Sequence, residues 1–279
     1  MSAARARRGS RSRPEQRESP GIAFTPVMRH ARDTPIMNAI APLDLSSHRS
    51  CVVLTGAGIS VASGLRPYRG AGGLWTERPD QIDVATTDTL VRDPAAIWRL
   101  FGPMRAAARA ARPNAAHIAL AELERRALSL GGACTVITQN VDGLHQRAGS
   151  TEVVEIHGRL ARSRCSRCDR PPFDDTSAHD LPLCDRCGAP LRPDVVLFGE
   201  YPDVDDEHRA KRALRECDLF LAIGTSGTVA PASSYVRWAE VNGARTILID
   251  IAPPDPPSPA FREVLTGRAE DLVPALVGA

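Results

Sequence analysis

The sequence predicts an α/β fold: a parallel sheet covered by helices on both faces, with a small zinc-binding module inserted into it. Short β-branched runs alternate along the chain with helical patterns. The strand-like runs are almost continuously apolar, as expected when both faces of a parallel sheet are buried. Between about residues 158 and 195 the alternation stops, and a cysteine-rich stretch takes its place.

Apolar runs and helical periodicity place the individual elements. Strands are predicted at 51–55, 133–138, 152–156, 218–223 and 245–250. Helices are predicted at 94–110, 114–129, 205–216, 232–241 and 270–277. Pro113 and Asn114 start the second helix, whose apolar stripe is expected to comprise Ile118, Ala121, Leu123 and Leu128.

The overall composition is that of an ordinary globular protein, but the N-terminal segment differs from the rest. The formal net charge of +2 argues against a dominant nucleic-acid surface, and no apolar run reaches the ~20 residues of a membrane helix. Residues 1–44 are Arg-rich and lack apolar periodicity, which predicts a disordered tail. A transit peptide, or a true start at Met28 or Met37, is the alternative. No secretory signal is visible, so a reducing cytoplasm is the expected location.

Seven cysteines in such a chain indicate a metal or catalysis before disulfides. Cys165 with Cys168, and Cys184 with Cys187, form two Cys-x-x-Cys pairs separated by 15 residues. Two such pairs place four thiolates around Zn²⁺ and leave no position for water, so the predicted role is structural. Four unrelated cysteines, with His179 between them as a loop residue, are the alternative. The other cysteines are expected to be small buried residues: Cys51, Cys134 and Cys217.

A glycine-rich turn follows the first predicted strand. Gly56, Ala57 and Gly58 supply the first two glycines of a dinucleotide fingerprint, but Val61 stands at the third. Backbone N–H groups in such a turn approach a pyrophosphate, although a purely structural turn is the alternative. The polar, glycine-rich loop over 63–75 has the length of a lid or binding loop.

Polar side chains follow the next two predicted strands. Gln139, Asn140 and Asp142 come directly after one strand, and His157 follows the other. The carboxyl ends of parallel strands face the ligand crevice, so these residues are expected near the glycine turn. His157 is a candidate general base, since the pKa of an imidazole (~6.5) lies near working pH. The alternative is that these residues only shape turns.

Taken together, the motifs resemble those of the sirtuins, the NAD-dependent protein-lysine deacylases, in a bacterial-type form. They occur in family order over roughly residues 45–277. The resemblance implies a Rossmann-like NAD-binding domain at 45–157 and 196–279, with a zinc-binding module at 158–195. The matching stretches are 56–60, 69–70, 73–75, 113–117, 138–145, 157–158, the four paired cysteines, 193–200 and 224–226.

The resemblance implies a reaction and a role for each site residue. Asn140 and Asp142 would hold the nicotinamide end of NAD, and Gln139 would contact the nicotinamide ribose. Nicotinamide leaves as the acyl oxygen of the substrate lysine attacks C1′, which forms an O-alkylimidate. Catalytic His157 then activates a ribose hydroxyl, and the products are free lysine, nicotinamide and O-acyl-ADP-ribose. The implied NAD contacts are Gly56, Ala57, Gly58, Ser60, Tyr68, Arg69, Gln139, Asn140, Val141, Asp142, Gly224, Thr225, Ser226, Asp250 and Ala269.

An acyl-lysine peptide is implied to bind beside this site as an added strand. Part of the run 195–198 would form the wall of the acyl-lysine channel. His117 and His145 also match family positions and are expected to pack or cap. The implied peptide contacts are Val196, Phe198, Gly199, Glu200 and Gly227.

The chain departs from the family pattern in the lid and near the acyl group. The segment 65–69 reads Leu-Arg-Pro-Tyr-Arg where the family has Ile-Pro-Asp-Phe-Arg, and 250–252 reads Asp-Ile-Ala for Asn-Pro-Glu. Sirtuins that prefer succinyl or malonyl lysine carry Tyr-x-x-Arg, where this chain has Phe101 and Met104 with Arg105 one position off. Acidic acyl groups are therefore predicted to be poor substrates, and acetyl or longer apolar acyl groups to be preferred.

Three other functions fit parts of the sequence. A mono-ADP-ribosyltransferase on the same scaffold would suit the altered lid. A non-catalytic nucleotide-binding module could use the zinc site to bind partners. A hydride-transferring dehydrogenase would need the third glycine of the fingerprint, and nothing else in the sequence suggests hydride chemistry.

Overall fold

The computed structural model describes residues 40–175, 177, 180–225 and 232–279. The predictions for residues 1–39, His179, Ser226 and Gly227 lie outside these ranges. The β-strands are β1 (Ser50–Thr55), β2 (Ala133–Thr138), β3 (Val153–Glu155), β4 (Gly158–Cys165), β5 (Phe173–Asp174), β6 (Leu191–Val195), β7 (Leu219–Ile223), β8 (Arg245–Asp250) and β9 (Glu263–Thr266). The α-helices are α1 (Leu74–Glu77), α2 (Asp80–Val84), α3 (Thr87–Arg92), α4 (Pro94–Ala110), α5 (Ala115–Ser129), α6 (Leu144–Ala148), α7 (Val204–Glu216), α8 (Tyr235–Val241) and α9 (Ala269–Val277).

The main sheet is parallel and has the order β3-β2-β1-β7-β8-β9. Its first five strands in chain order are the five that the apolar runs predict, each within about one residue at either end. The edge strand β9 was not predicted, because its residues are half-buried or exposed and form no continuous apolar run. The order reverses between β1 and β7, which is where doubly wound sheets open a crevice for ligands.

Helices cover both faces of this sheet, as predicted. On one face, β1 contributes Cys51 and Val53 to a core completed by α5 and α9. On the other face, Val52 and Leu54 pack with α7 and α8. Successive residues of β1 thus enter opposite cores, which explains the unbroken apolar run. Full burial of each such aliphatic side chain contributes about 1.5–3 kcal/mol to folding.

Helix α5 begins where the sequence predicts, but its buried face is not the predicted one. The Asn114 side chain caps the helix by accepting from the Ala116 backbone N–H at 3.0 Å. Ile118 is 58% exposed and Leu128 is 53% exposed, so the predicted stripe is wrong at these two positions. Small side chains let the helix lie close to the sheet, and the buried face is formed by Ala116, His117, Ala119, Leu120, Leu123, Glu124 and Ala127.

A second, antiparallel sheet occupies the predicted insertion, in the order β5-β4-β6. Helix α4 packs against it: the Trp98 indole N–H donates to the Leu191 carbonyl at 2.8 Å. The Arg105 guanidinium donates to the carbonyls of Leu160 at 2.6 Å and Arg162 at 3.2 Å. Helix α4 is therefore joined to the small sheet. The division into domains at 158 and 195 stays a prediction.

The folded part of the chain starts before residue 45, where the predicted tail ends. Leu43 is only 4% exposed, and its backbone N–H donates to the Leu276 carbonyl at 2.8 Å. Residues 40–44 therefore belong to the folded part, because Leu43 supplies apolar area to the core beside α9. Within the described ranges, every helix is too short or too polar to span a bilayer.

Candidate functional site

The site lies at the carboxyl ends of β1, β2 and β7, where the strand order reverses. A cavity of about 310 Å³ opens there. Its described lining includes Gly56 after β1, Gln139 and Asn140 after β2, and Gly224 and Thr225 after β7. The polar residues that the sequence places after separate strands are thus brought together, as the topology of a parallel sheet predicts.

Glycines at this edge allow two turns to touch. A Cβ atom added to Gly56 would lie 2.6 Å from the Gly224 carbonyl oxygen, and one added to Gly58 would lie 2.6 Å from the Gly224 Cα. Gly224 itself has a positive φ of 58°. Close approach of the two turns, besides any approach of a ligand, therefore requires glycine at these positions. Val61 takes the place of the third fingerprint glycine because it points outward, 48% exposed.

Asn140 is held against the glycine turn after β1 by its side-chain amide. This amide donates to the Gly56 carbonyl at 3.0 Å and lies 3.3 Å from the Ser60 hydroxyl. The Ser60 hydroxyl donates to the Asp142 carboxylate at 2.7 Å, which also accepts from the Leu144 N–H at 2.9 Å. Burial raises the pKa of Asp142, and these two hydrogen bonds oppose the shift. Asn140 is therefore fixed in position by a buried polar network.

Gln139 makes two further hydrogen bonds in the site. Its side-chain amide donates to the Thr225 hydroxyl at 2.7 Å, which joins the ends of β2 and β7. Its backbone carbonyl accepts from His157 Nδ1 at 3.0 Å. A carbonyl oxygen can only accept, so Nδ1 carries the imidazole proton and Nε2 keeps its lone pair. His157 is thereby held in the tautomer that a general base needs at Nε2.

The environment of His157 keeps this imidazole neutral. Burial lowers its pKa, and the hydrogen bond to Gln139 opposes the shift. The ring lies at the cavity, next to the run that follows β6. The Val196 backbone N–H donates to the His157 carbonyl at 3.0 Å, so the base and the channel wall are linked through the backbone.

The wall from Val195 to Glu200 is anchored on both sides. The Phe198 N–H donates to the Ala85 carbonyl at 2.9 Å, and the Thr87 N–H donates to the Phe198 carbonyl at 3.1 Å. The Glu200 carboxylate accepts from Arg192 at 2.7 Å and from the Leu197 N–H at 2.9 Å. Glu200, predicted to hold a peptide, thus also holds the wall itself.

The lid forms an aromatic roof over the cavity. Tyr68 stacks on Trp75 with ring centroids 5.4 Å apart, and Trp75 meets Phe198 edge-on at 6.5 Å. The tyrosine that replaces the family's phenylalanine keeps its ring in the cavity lining. Burial, followed by the nearby Asp142, raises the pKa of Tyr68, so its hydroxyl stays protonated.

The predicted NAD contacts fall into three groups in the structure, and Gly58 lies against Gly224 outside all of them. Those that line the cavity are Gly56, Ala57, Tyr68, Arg69, Gln139, Asn140, Val141, Gly224 and Thr225. Ser60 and Asp142 lie behind Asn140 through the hydrogen bonds above. Asp250 and Ala269 lie further along the sheet edge, outside this lining: the Asp250 carbonyl accepts from the Gly267 N–H at 3.0 Å, just before α9 begins. Their roles toward NAD stay predictions.

Some lining residues carry no signal in the sequence. Ala85 lies in a short connection between helices, and an alanine in such a place carries no recognisable signal. Phe101 marks a departure from the family pattern and Trp75 belongs to a matching stretch, but neither feature predicts a place in the cavity lining. All three reach the cavity through packing of the lid and α4, which local sequence does not reveal.

The four paired cysteines form one cluster. Their sulfur atoms all lie within 4.8 Å of one another, with 3.5 Å between Cys165 and Cys187 and 3.7 Å between Cys168 and Cys184. A tetrahedral zinc site with Zn–S bonds of ~2.3 Å requires sulfur–sulfur distances of about 3.8 Å. The cluster therefore fits Zn²⁺. The remaining cysteines are buried, as predicted: Cys51, Cys134 and Cys217.

Two buried histidines lie behind the site. His117 Nδ1 accepts from the Asn114 N–H at 3.4 Å, which completes the cap of α5, and His145 Nε2 lies 2.9 Å from the Thr55 hydroxyl. Their rings are 4.9 Å apart. Burial lowers the pKa of His117 to about 4, and burial followed by His117 lowers that of His145 to about 3. Both therefore pack or cap as neutral groups.

These histidines predict a loss of stability in mild acid. Below the ordinary pKa of ~6.5 the unfolded chain binds protons that the folded chain excludes, so the free energy of unfolding falls as pH decreases from ~6.5 toward 4. The two histidines together change the free energy of unfolding by roughly 2–3 kcal/mol per pH unit in this range. Urea unfolding of His145→Gln at several pH values between 5 and 7 should show a smaller slope than wild type. Exposed His208→Gln serves as the control, and equal slopes in both variants would contradict the assignment.

Several known proteins are similar to this chain. The Sir2 family model matches residues 56–231. An NAD-dependent protein deacylase 2 from Pyrobaculum aerophilum is 44% identical over 84% of this chain and 92% of its own length. NAD-dependent protein deacylases from Thermus thermophilus and Escherichia coli (strain K12) are 45% and 41% identical. These two matches cover 82% and 81% of this chain, and 89% and 80% of the relatives.

Solved structures of Sir2 proteins are also similar to this chain. A Sir2 homologue in complex with NAD superposes with a TM-score of 0.75 at 38% identity, covering 84% of this chain and 90% of the other. A Sir2 variant with a deacetylated p53 peptide and 3′-O-acetyl ADP ribose superposes with a TM-score of 0.73 at 30% identity, over 84% and 94% of the two chains. This chain belongs to the Sir2 family.

Proposed function

We propose that the protein is an NAD-dependent protein-lysine deacylase that releases nicotinamide and O-acyl-ADP-ribose. The observation that carries the proposal is the placement of His157, with a free Nε2, beside Gln139 and Asn140 in one cavity at the switch point of the sheet. Relatives at 41–45% identity bear the name of this activity. NAD supplies the glycosidic bond to nicotinamide and the ADP-ribose that accepts the acyl group.

Different residues of this chain bind NAD, position its nicotinamide end and transfer the proton. The glycine turns at Gly56 and Gly224 line the cavity, and the pyrophosphate of NAD would bind beside them. Asn140, fixed by Gly56 and Ser60, positions the nicotinamide end. His157 Nε2 takes a proton from a ribose hydroxyl, because its Nδ1 proton is held by the Gln139 carbonyl.

The protein substrate binds as an extended peptide along the run 196–200. Thr86 and Phe198 form a parallel β-bridge on one side of this run, and the chain then turns at Gly199, whose φ is 95°. An acyl-lysine side chain would enter the cavity between this wall and the aromatic roof. Residues 158–195 form the zinc-binding module, and the Zn²⁺ held by its four cysteines acts structurally. A cytoplasmic location stays a prediction from the sequence.

Mass spectrometry of the reaction products tests this proposal. Purified protein, NAD and an acetylated peptide should yield nicotinamide, free lysine and O-acetyl-ADP-ribose in equal amounts. A parallel reaction with NAD labelled in the ADP-ribose part separates the alternatives. Label retained on protein would show an ADP-ribosyltransferase, and neither product with any acylated peptide would rule out the deacylase.

A further inference from the structure

A chain of buried hydrogen bonds runs from the backbone of Asn140 into the interior of the protein. The Asn140 N–H donates to the Thr138 hydroxyl at 3.0 Å. The Thr55 hydroxyl donates to the same oxygen at 2.8 Å and lies 2.9 Å from His145 Nε2. The side chains of these two threonines and this histidine belong to residues that are at most 2% exposed. Water therefore cannot take the place of any partner in this hydrogen-bond chain.

The direction of each hydrogen bond follows from the number of protons available. Thr55 donates its single hydroxyl proton to Thr138, so the Thr55 oxygen can only accept from His145. His145 therefore carries a proton on Nε2. Burial lowers the pKa of His145 to about 3, so the ring is neutral and has no second proton. The hydrogen bonds from both ends of the chain thus converge on the Thr138 oxygen.

His145 also packs against the cap of α5. Its ring lies 4.9 Å from the ring of His117, whose Nδ1 accepts from the Asn114 N–H at 3.4 Å. His145 Nδ1 is buried and has no hydrogen-bond partner within the described part of the chain. An apolar ring would fill this position at a lower cost of desolvation. The hydrogen bond to Thr55 is therefore the specific contribution that an imidazole makes here.

Two separate sets of hydrogen bonds hold Asn140. The side-chain amide is bound to the Gly56 carbonyl and lies beside the Ser60 hydroxyl. The backbone N–H is bound to Thr138, at the end of β2. The first set fixes the amide against the glycine turn, and the second fixes the backbone from which the amide extends. Loss of the Thr138 hydroxyl would leave the N–H buried without a partner, so this backbone would have to move.

We propose that Thr138, Thr55 and His145 are positioning residues, whose hydrogen-bond chain holds Asn140 in place for cleavage of the bond between nicotinamide and ribose. The proposal rests on the deacylase function above and extends it to three residues that do not belong to the described cavity lining. A displacement of about 1 Å at a reacting group can lower a rate by about 100-fold. The effect should therefore fall on turnover and on nicotinamide binding, with little change in binding of the peptide.

Variants that remove or keep one hydroxyl test the proposal. Thr138→Val removes the acceptor with little change in shape, whereas Thr138→Ser keeps it. With NAD and an acetylated peptide, Thr138→Val should lower kcat for nicotinamide release by about 10- to 100-fold. Inhibition by free nicotinamide should weaken, while KM for the peptide should stay within about twofold of wild type. Thr138→Ser should restore both kcat and nicotinamide inhibition.

Thr246→Val separates positioning from stability. Thr246 is a fully buried threonine of β8, whose hydroxyl donates to the Ala260 carbonyl at 2.6 Å and accepts from the Arg262 N–H at 3.0 Å. Its replacement should lower the melting temperature, as Thr138→Val does, but should leave kcat and nicotinamide inhibition unchanged. Wild-type kcat and nicotinamide inhibition in Thr138→Val, measured below its melting temperature, would overturn the proposal. A Thr138→Ser enzyme as slow as Thr138→Val would also overturn it.

Thr55→Val provides a second test, which serves even if Thr138→Val does not fold. It removes the next hydroxyl along the chain, so a smaller decrease of kcat is expected, about 3- to 10-fold, with recovery in Thr55→Ser. An unchanged kcat in Thr55→Val would contradict the proposal. A wild-type protein that releases no nicotinamide with any acylated peptide would instead reject the deacylase function itself.

Discussion

Replacement of His157 by alanine should reduce kcat/KM for deacylation by about 10²–10⁴-fold while leaving the fold intact. The His157 imidazole donates from Nδ1 to the Gln139 carbonyl at 3.0 Å. This tautomer leaves the lone pair of Nε2 free to accept a proton in the cavity. Its loss removes the base but no core contact, so the melting temperature and zinc content should stay at the wild-type values. His208→Ala, on the exposed side of α7, is the matched control.

The same residue predicts the pH dependence of the wild-type enzyme. Burial lowers the pKa of His157 below its ordinary value of 6.5. The base is active when neutral, so kcat/KM should be constant above pH 6.5 and should decline only at lower pH, by about tenfold per pH unit below the pKa. A decline that begins above pH 6.5, or full deacylation by His157→Ala, would contradict the role assigned to this imidazole.

Removal of one zinc ligand should be the most damaging change to stability. Cys165, Cys184, Ala189 and Leu191 form, with Trp98, the small apolar cluster of the insertion. So few apolar contacts supply little folding energy without the metal. Cys168→Ser should lose the bound zinc and lower the melting temperature by roughly 10 °C or more, which corresponds to about 3–5 kcal/mol at this chain length.

The loss of zinc should also reduce the rate of deacylation. Strand β4 starts directly after His157, and β6 leads into the channel wall at Val196. Zinc stoichiometry by mass spectrometry, melting temperature and deacylation should be compared with Cys217→Ser, a buried cysteine outside the cluster. One zinc per chain is expected in wild type and in this control. A Cys168→Ser protein with full zinc and unchanged melting would reject the four-thiolate site.

Much of the main sheet could be predicted because its strands are buried on both faces. Strand β1 shows this most clearly: alternate residues enter two different cores, so the whole strand is apolar. Edge strand β9 has no such run and was missed. The stripe of α5 was assigned wrongly at Ile118 and Leu128 because hydrophobic side chains were expected to face inward, whereas small ones permit closer packing.

The residues of the site were also predictable only in part. Gln139, Asn140 and His157 were predictable because each follows a strand whose end had already been placed. The apolar lining of the cavity was not, because Ala85 and Phe101 come from segments far from those strand ends. They reach the cavity only after α4 packs on the small sheet through Trp98. Such tertiary packing leaves no local pattern in the sequence.

A crystal structure of the protein with NAD and an acylated peptide gives the most direct test of the central claim. We expect His157 Nε2 to lie within about 3.2 Å of a hydroxyl of the nicotinamide ribose. A cavity that stays empty at saturating NAD, or an imidazole whose Nε2 points away from the bound ribose, would contradict it.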